Sequence, residues 1–346
     1  MNNKNQNHIA RVSKAPSKDA YISIELALQS APNDGRPYTI YIDEGTYEER
    51  LNVEHNNVHL VGAGKNKTII SGAAVAGQLD RSGEIISTLN SRTLMVNAKD
   101  CSLKSLTIRN SFDYIGNAAK PADSPDKVTH TQAVALLLGN ECDQCEISDV
   151  ALEGYQDTLF VKGLRSYFHR CDISGCVDFI FGNGTAIFDQ CRIIARDTSS
   201  IESSVGFVTA PSTQTDQEFG LTFFNCDLIK ESPQIPQESY ALGRPWHPTT
   251  LFSDGKYADP NAVGCTTFIS CFLDDHIYGW DKMSGKDING DQIWFSPDTD
   301  ARFNLYQCRG DGAARSPFHL SEESASKYSI QTIFTGWIPK SLDGEK

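Results

Sequence analysis

Two aspartates, Asp157 and Asp178, stand 21 residues apart in the segments Gln156-Asp-Thr-Leu159 and Asp178-Phe-Ile-Phe-Gly182. Two carboxylates held close together cannot both ionise comfortably, so one pKa rises while the other falls. Such a pair can divide its labour, one member attacking as a carboxylate and the other donating a proton. Taken alone, the pair favours a bland reading, an exposed ladder of aspartates with no chemistry. Two further features reverse that reading. Leu242-Gly-Arg-Pro-Trp246 places a guanidinium and an indole two positions apart, on one side of an extended backbone. Arg244 can hold a carboxylate ionised with its planar fork, and Trp246 suits stacking on the apolar face of a sugar ring. Gln132 heads the apolar run Gln132-Ala-Val-Ala-Leu136, 24 residues before Gln156. Amides at that spacing could donate to a developing oxyanion. These residue types together describe acyl transfer at an ester carbonyl.

The spacing matters only if the chain coils with a matching period. A large apolar residue precedes a cysteine by three positions at Phe168, Phe188, Phe223, Phe268 and Leu305, ahead of Cys171, Cys191, Cys226, Cys271 and Cys308. Apolar and polar residues alternate around each, which is a strand pattern. Cys171 and Cys191 are 20 residues apart, with longer loops separating the others. A strand unit repeated at this period marks a solenoid, whose coils bury their faces by stacking. Segments 57–61, 93–96, 103–108, 133–138, 147–152 and 159–161 fit as further rungs. Residues 20–31 form the best helix candidate and could cap the open end, which would otherwise be an unpaired edge. No linker composition divides the chain. The expected architecture is all-β: a polar tail over 1–18 and one right-handed parallel β-helix domain over 19–346.

Most cysteines read as small apolar fillers inside the coil. Cys171 and Cys191 bracket Asp178 one coil apart, about 4.8 Å at the backbone. That lies within the roughly 4.4–6.8 Å a disulfide tolerates, so a bridge is expected there. Cys142-x-x-Cys145 has no second pair to complete a metal site and is read as two buried thiols.

Composition removes several functions. The formal net charge is −13 and the pI near 5.0, which argues against nucleic acid and against an anionic membrane surface. No apolar run approaches the roughly eighteen residues that span a bilayer. Residues 1–18 lack the apolar segment of a secretory signal. The expectation is a secreted, periplasmic or outer-membrane-associated protein whose signal is absent from this chain, with the cytoplasm as the alternative.

Five motifs in order resemble the signature of the pectin methylesterases, of bacterial type: Gly45-Thr-Tyr47-Glu-Glu49, Gln132-Ala-Val-Ala-Leu136, Gln156-Asp-Thr-Leu159, Asp178-Phe-Ile-Phe-Gly182 and Leu242-Gly-Arg-Pro-Trp246. The resemblance covers residues 19–337. It implies a parallel β-helix that hydrolyses galacturonate methyl esters in pectin or oligogalacturonides to acid and methanol, with no metal or other cofactor. It further implies Asp178 as nucleophile, Asp157 as general acid and then base, Gln156 and Gln132 as oxyanion donors, and Arg244 bonded to the nucleophile. Trp246, Phe181, Val177, Ala210 and Met283 match substrate-lining positions, and Gly45, Tyr47 and Glu49 a structural motif. A capped solenoid is expected to act as a monomer. The alternatives are a pectate lyase or polygalacturonase on the same coil, or an acyl-thioester hydrolase relative. No acidic cluster adjoins Arg244 as a lyase's calcium site would, and drift to another ester would be expected to damage one of the five motifs.

Overall fold

The computed structural model describes residues 8–342 apart from 16, 81 and 202–204. Its strands form three long parallel sheets. One of ten strands runs from His8–Val12 to Ala301–Tyr306. A second, of eight, runs from Leu51–Val53 to Ile277–Trp280, and a third, also of eight, from Gly45–Tyr47 to Phe272–Leu273. Past the first two strands, and apart from two antiparallel hairpins, consecutive strands enter different sheets, and each pairs with its counterpart one coil later. Leu159–Val161 thus pairs with Ile180–Gly182, Arg165–His169 with Thr185–Asp189, and Asp172–Gly175 with Arg192–Ala195. This is the parallel β-helix, wound right-handed as parallel crossovers are.

The Phe-to-Cys repeat is the core seen edge-on. Phe168, Phe188, Phe223 and Phe268 are fully buried and stack with ring centroids 4.7, 4.4 and 4.4 Å apart, close to the spacing of the rungs themselves. Each coil then turns on a residue with positive φ: Arg170, Gln190, Asn225, Ser270 and Gln307, at 48–55°. The cysteine after each corner sends its thiol inward to a carbonyl of the preceding coil. Cys171 Sγ donates to Ile147 O at 3.4 Å, and Cys191 Sγ to Phe168 O at 3.5 Å. This arrangement overturns the expected Cys171–Cys191 bridge, and both are free thiols. Successive rungs aim the two side chains in parallel, each at a carbonyl, so strand spacing alone does not make a disulfide.

The same corners divide two segments that read as single strands. Residues 103–108 split at Ser105 (φ 54°) into Ser102–Lys104 and Thr107–Asn110; 147–152 split at Asp149 (φ 53°) into Cys145–Ser148 and Ala151–Glu153. The N-terminal helix is shorter than the candidate segment, Ile24–Gln29. Ser23 caps it by accepting from Leu26 N, and Pro32 disfavours helix at the residue before it. Glu49 takes the N–H groups of Ile24 and Glu25 at 3.1 and 2.9 Å. The Gly45–Glu49 motif therefore anchors the helix, whose buried Ile24, Ala27 and Leu28 cover the first coil. The stretch read as a polar tail corrects in part. His8–Val12 is a strand paired with Tyr38–Ile42, with Ala10 and Val12 turned inward; residues 1–7 lie outside the described residues.

Candidate active site

The second sheet carries the candidate site at its strand entries. Gln156 bridges Val177 in parallel, and the Asp157 N–H donates to Val177 O at 3.0 Å. Asp157 and Asp178 therefore occupy equivalent points on successive coils, each two residues before a strand. Both take positive φ, 62° and 49°, a conformation that Asp tolerates because its short polar chain can bond locally. Each is only 7% exposed.

Their electrostatic surroundings differ. Arg244, one residue past the strand Tyr240–Gly243, is fixed at its N–H by Thr209 O at 3.0 Å. Its Nε and Nη2 donate to Asp178 Oδ1 and Oδ2 at 2.8 and 2.7 Å, a two-pronged charge-assisted contact. Burial works against the guanidinium's charge, but the Asp178 carboxylate outweighs it and Arg244 is held above its ordinary pKa. The carboxyl of Asp157 is pushed well above the usual range, by burial first and by the neighbouring Asp178 charge second, against a smaller pull from Arg244. One aspartate is thus clamped by a cation and the other favours its proton.

Gln132, Gln156 and both aspartates line a cavity of about 170 Å³. Its apolar wall follows from strand register. Phe160, Phe181 and Ala210 lie on successive rungs, with the two rings stacked at 4.1 Å. Trp246 leans on that stack at 6.2 and 5.6 Å from the two rings, and Met283 and Thr88 complete the lining. The hairpin Met283–Lys286 with Gln292–Phe295 is pinned there by Phe295, which stacks on His247 at 3.5 Å.

Of the sequence candidates, the pocket gathers Asp157, Asp178, Gln132, Gln156, Phe181, Ala210, Trp246 and Met283, with Arg244 behind Asp178. Val177 is placed otherwise: its side chain packs on the hydrophobic core and its carbonyl holds Asp157. Sequence reasoning missed Thr88, Phe160, and Phe207, whose ring lies 3.8 Å from the Arg244 guanidinium. Phe160 carried a readable signal, since it precedes Phe181 by the same 21 residues that separate the aspartates. Thr88 and Phe207 carried none. Among the described residues, Asp274, Asp275 and His276 bring potential metal ligands within 4.8 Å of one another, but none lines the pocket and Lys230 already binds Asp275 at 2.6 Å.

Residues 10–278 match the family model described as Pectinesterase. The chain is 47% identical over 335 residues to Pectinesterase A of Dickeya dadantii (strain 3937), covering 95% of this chain and 91% of that protein. A solved pectin methylesterase from Yersinia enterocolitica superposes with a TM-score of 0.89 at 48% identity, over 92% of this chain and 99% of the other. A pectin methylesterase in complex with a hexasaccharide superposes with a TM-score of 0.94 at 46% identity, over 97% and 99% of the two chains.

Proposed function

The chain belongs to the pectinesterase family and is a carboxylic ester hydrolase that removes methyl esters from pectin, and from that premise we propose how its own residues share the reaction. Asp178 is the nucleophile and Asp157 the proton carrier. The observation that carries this assignment is the asymmetry of the pair: Arg244 grips both oxygens of Asp178, while Asp157 is buried beside that charge and favours its proton.

Each Asp178 oxygen keeps a second lone pair after accepting from Arg244. One attacks the ester carbonyl carbon, and the negative charge passes to the carbonyl oxygen, where the Gln132 and Gln156 amides donate. The intermediate collapses as the carbon–oxygen bond to the methoxy group breaks. Asp157 gives its proton to that oxygen, and methanol leaves. The galacturonate is then held as an anhydride with Asp178. Asp157, now ionised, takes a proton from water, whose oxygen attacks the same carbon and releases the acid. Asp178 returns as carboxylate and Asp157 as acid. A carboxylate is a weak nucleophile, so alignment and charge stabilisation must supply the rate.

Trp246 and the stacked Phe160 and Phe181 offer apolar faces for the sugar and its methyl group, which supports binding of pectin chains or oligogalacturonides. A polymer of that size is met outside the cytosol, and we place the enzyme there. No helix among the described residues is long and apolar enough to cross a membrane. The helix over the first coil supports action as a monomer.

The test is methanol release from polymeric pectin by wild type and Asp178→Ala side by side, with reducing ends counted in the same reactions. Methanol without new reducing ends, abolished in the folded variant, is expected. Substantial turnover by Asp178→Ala would remove it as nucleophile.

A further inference from the structure

We infer that Thr131 is a positioning residue, holding the Gln156 amide with its N–H groups turned toward the reacting carbonyl. The inference rests on the proposed role of Gln156 as an oxyanion donor and adds the group that makes that role possible. An amide side chain presents two faces of opposite character, and only one serves. With its nitrogen toward the substrate, Gln156 donates to the forming oxyanion. Turned by half a rotation, it would set carbonyl lone pairs against that negative charge and raise the barrier.

The structure supplies a reason for the productive face. Thr131 Oγ1 donates to Gln156 Oε1 at 2.6 Å. Thr131 stands on the wall of a neighbouring cavity of about 610 Å³, whereas Gln156 lines the catalytic pocket. The amide oxygen is therefore held by a hydroxyl that lines that cavity and not the one the aspartates line. Carbonyl and amino groups diverge from one carbon, so fixing the oxygen there leaves the amino group to face the pocket. The backbone reinforces the grip, because the Ala133 N–H donates to Gln156 O at 3.1 Å. Residues 131–133 thus hold Gln156 at both ends while Gln132 between them contributes the second pocket amide. A shift of this segment would move both donors together.

The hydroxyl acts only through Gln156, so its loss belongs to the transition state. Thr131→Val keeps the shape and removes the donor. The expected result is a fall in kcat of about tenfold, equivalent to about 1.4 kcal/mol, with KM within about twofold of wild type. Thr131→Ser returns the hydroxyl and should recover kcat to within about threefold. In a Gln156→Leu background, Thr131→Val should cost nothing further, since the group it positions is gone. Unchanged kcat in Thr131→Val, failure of Ser to rescue, or an undiminished cost in the Gln156→Leu background would each overturn the inference. If Gln156→Leu itself keeps wild-type kcat, the oxyanion role fails and takes this inference with it; if that variant is slow but Thr131→Val is not, only the positioning role fails.

Discussion

The guanidinium of Arg244 lies over the ring of Phe207, 3.8 Å from its centroid, while its Nε–Nη2 edge binds both oxygens of Asp178. The two contacts use different parts of the group. The ring attracts the cation through its face and sets the plane of the fork; the fork then sets the plane of the carboxylate. A buried cation needs a partner, and here the partner is the proposed nucleophile, so the same ion pair that satisfies Arg244 holds the Asp178 carboxyl in place.

Arg244→Lys tests the fork apart from the charge. A lysine ammonium is a compact point charge that cannot bind both carboxylate oxygens in one plane or stack on Phe207. Loss of one charge-assisted hydrogen bond, about 1.5–3 kcal/mol, predicts a kcat reduced roughly 10- to 150-fold on highly esterified pectin. Steady-state rates within a few-fold of wild type would show that charge alone suffices.

Phe207→Leu tests the ring that sets the fork. Leucine keeps apolar bulk but has no π-face, so about 0.5–2 kcal/mol of cation attraction is lost. We expect kcat to fall roughly two- to thirty-fold with the melting temperature nearly unchanged, while Phe207→Tyr stays close to wild type. A Tyr variant as slow as the Leu variant would point to packing rather than to the ring's charge distribution.

How much of this was legible in the sequence depended on what each residue's neighbours are. The rungs showed because one side chain per coil fills the same place, so Phe168, Phe188, Phe223 and Phe268 repeat. The corners did not show: Arg170, Gln190, Asn225, Ser270 and Gln307 share a backbone conformation and no residue type. His8–Val12 hid because only Ala10 and Val12 point inward and Ile9 is exposed, too short an alternation to stand out from a polar start. The aspartates, glutamines, Arg244 and Trp246 sit in local motifs and were readable. Phe207 lies on the neighbouring coil, in the same strand as Ala210, but like Thr88 it sits in no local motif, and the Thr131 contact to Gln156 depends on a side-chain geometry that spacing does not encode. The Cys171–Cys191 spacing permitted a bridge, but the direction of the two thiols decided against it.

Asp157 should write itself into the pH dependence. Its folded pKa lies above the ordinary value of about 3.9 because burial and the Asp178 charge favour the proton. A group raised in this direction contributes stability that is complete below its unfolded pKa and fades as pH rises through the folded one. Stability should therefore slope downward from about pH 4 toward alkaline pH, and kcat should fall over the range where Asp157 loses the proton it is proposed to donate. Asp157→Asn, neutral at every pH, should flatten that part of the stability curve and lower kcat by about 10²- to 10⁴-fold. Denaturant titrations of both proteins across pH check the first expectation. A variant with the wild-type slope would mean that another group titrates there.

Trp246 tests the apolar wall rather than the chemistry. Its indole leans on the Phe160–Phe181 stack, and its N–H at the backbone is tied to Pro211 O at 3.2 Å, so the ring is held from two directions. A rigid aromatic of this kind contributes to binding with little ordering cost, and truncating such an anchor typically costs 2 kcal/mol or more. Trp246→Ala should lower kcat/KM roughly 30-fold, chiefly by raising KM, as expected of a ring proposed to contact the sugar in ground and transition states alike. Phe160→Leu, which removes one ring from beneath the indole, should shift KM in the same direction by less. If Trp246→Ala instead lowers kcat with KM unchanged, the indole acts at the transition state, as a positioning group for the ester rather than a platform for the sugar.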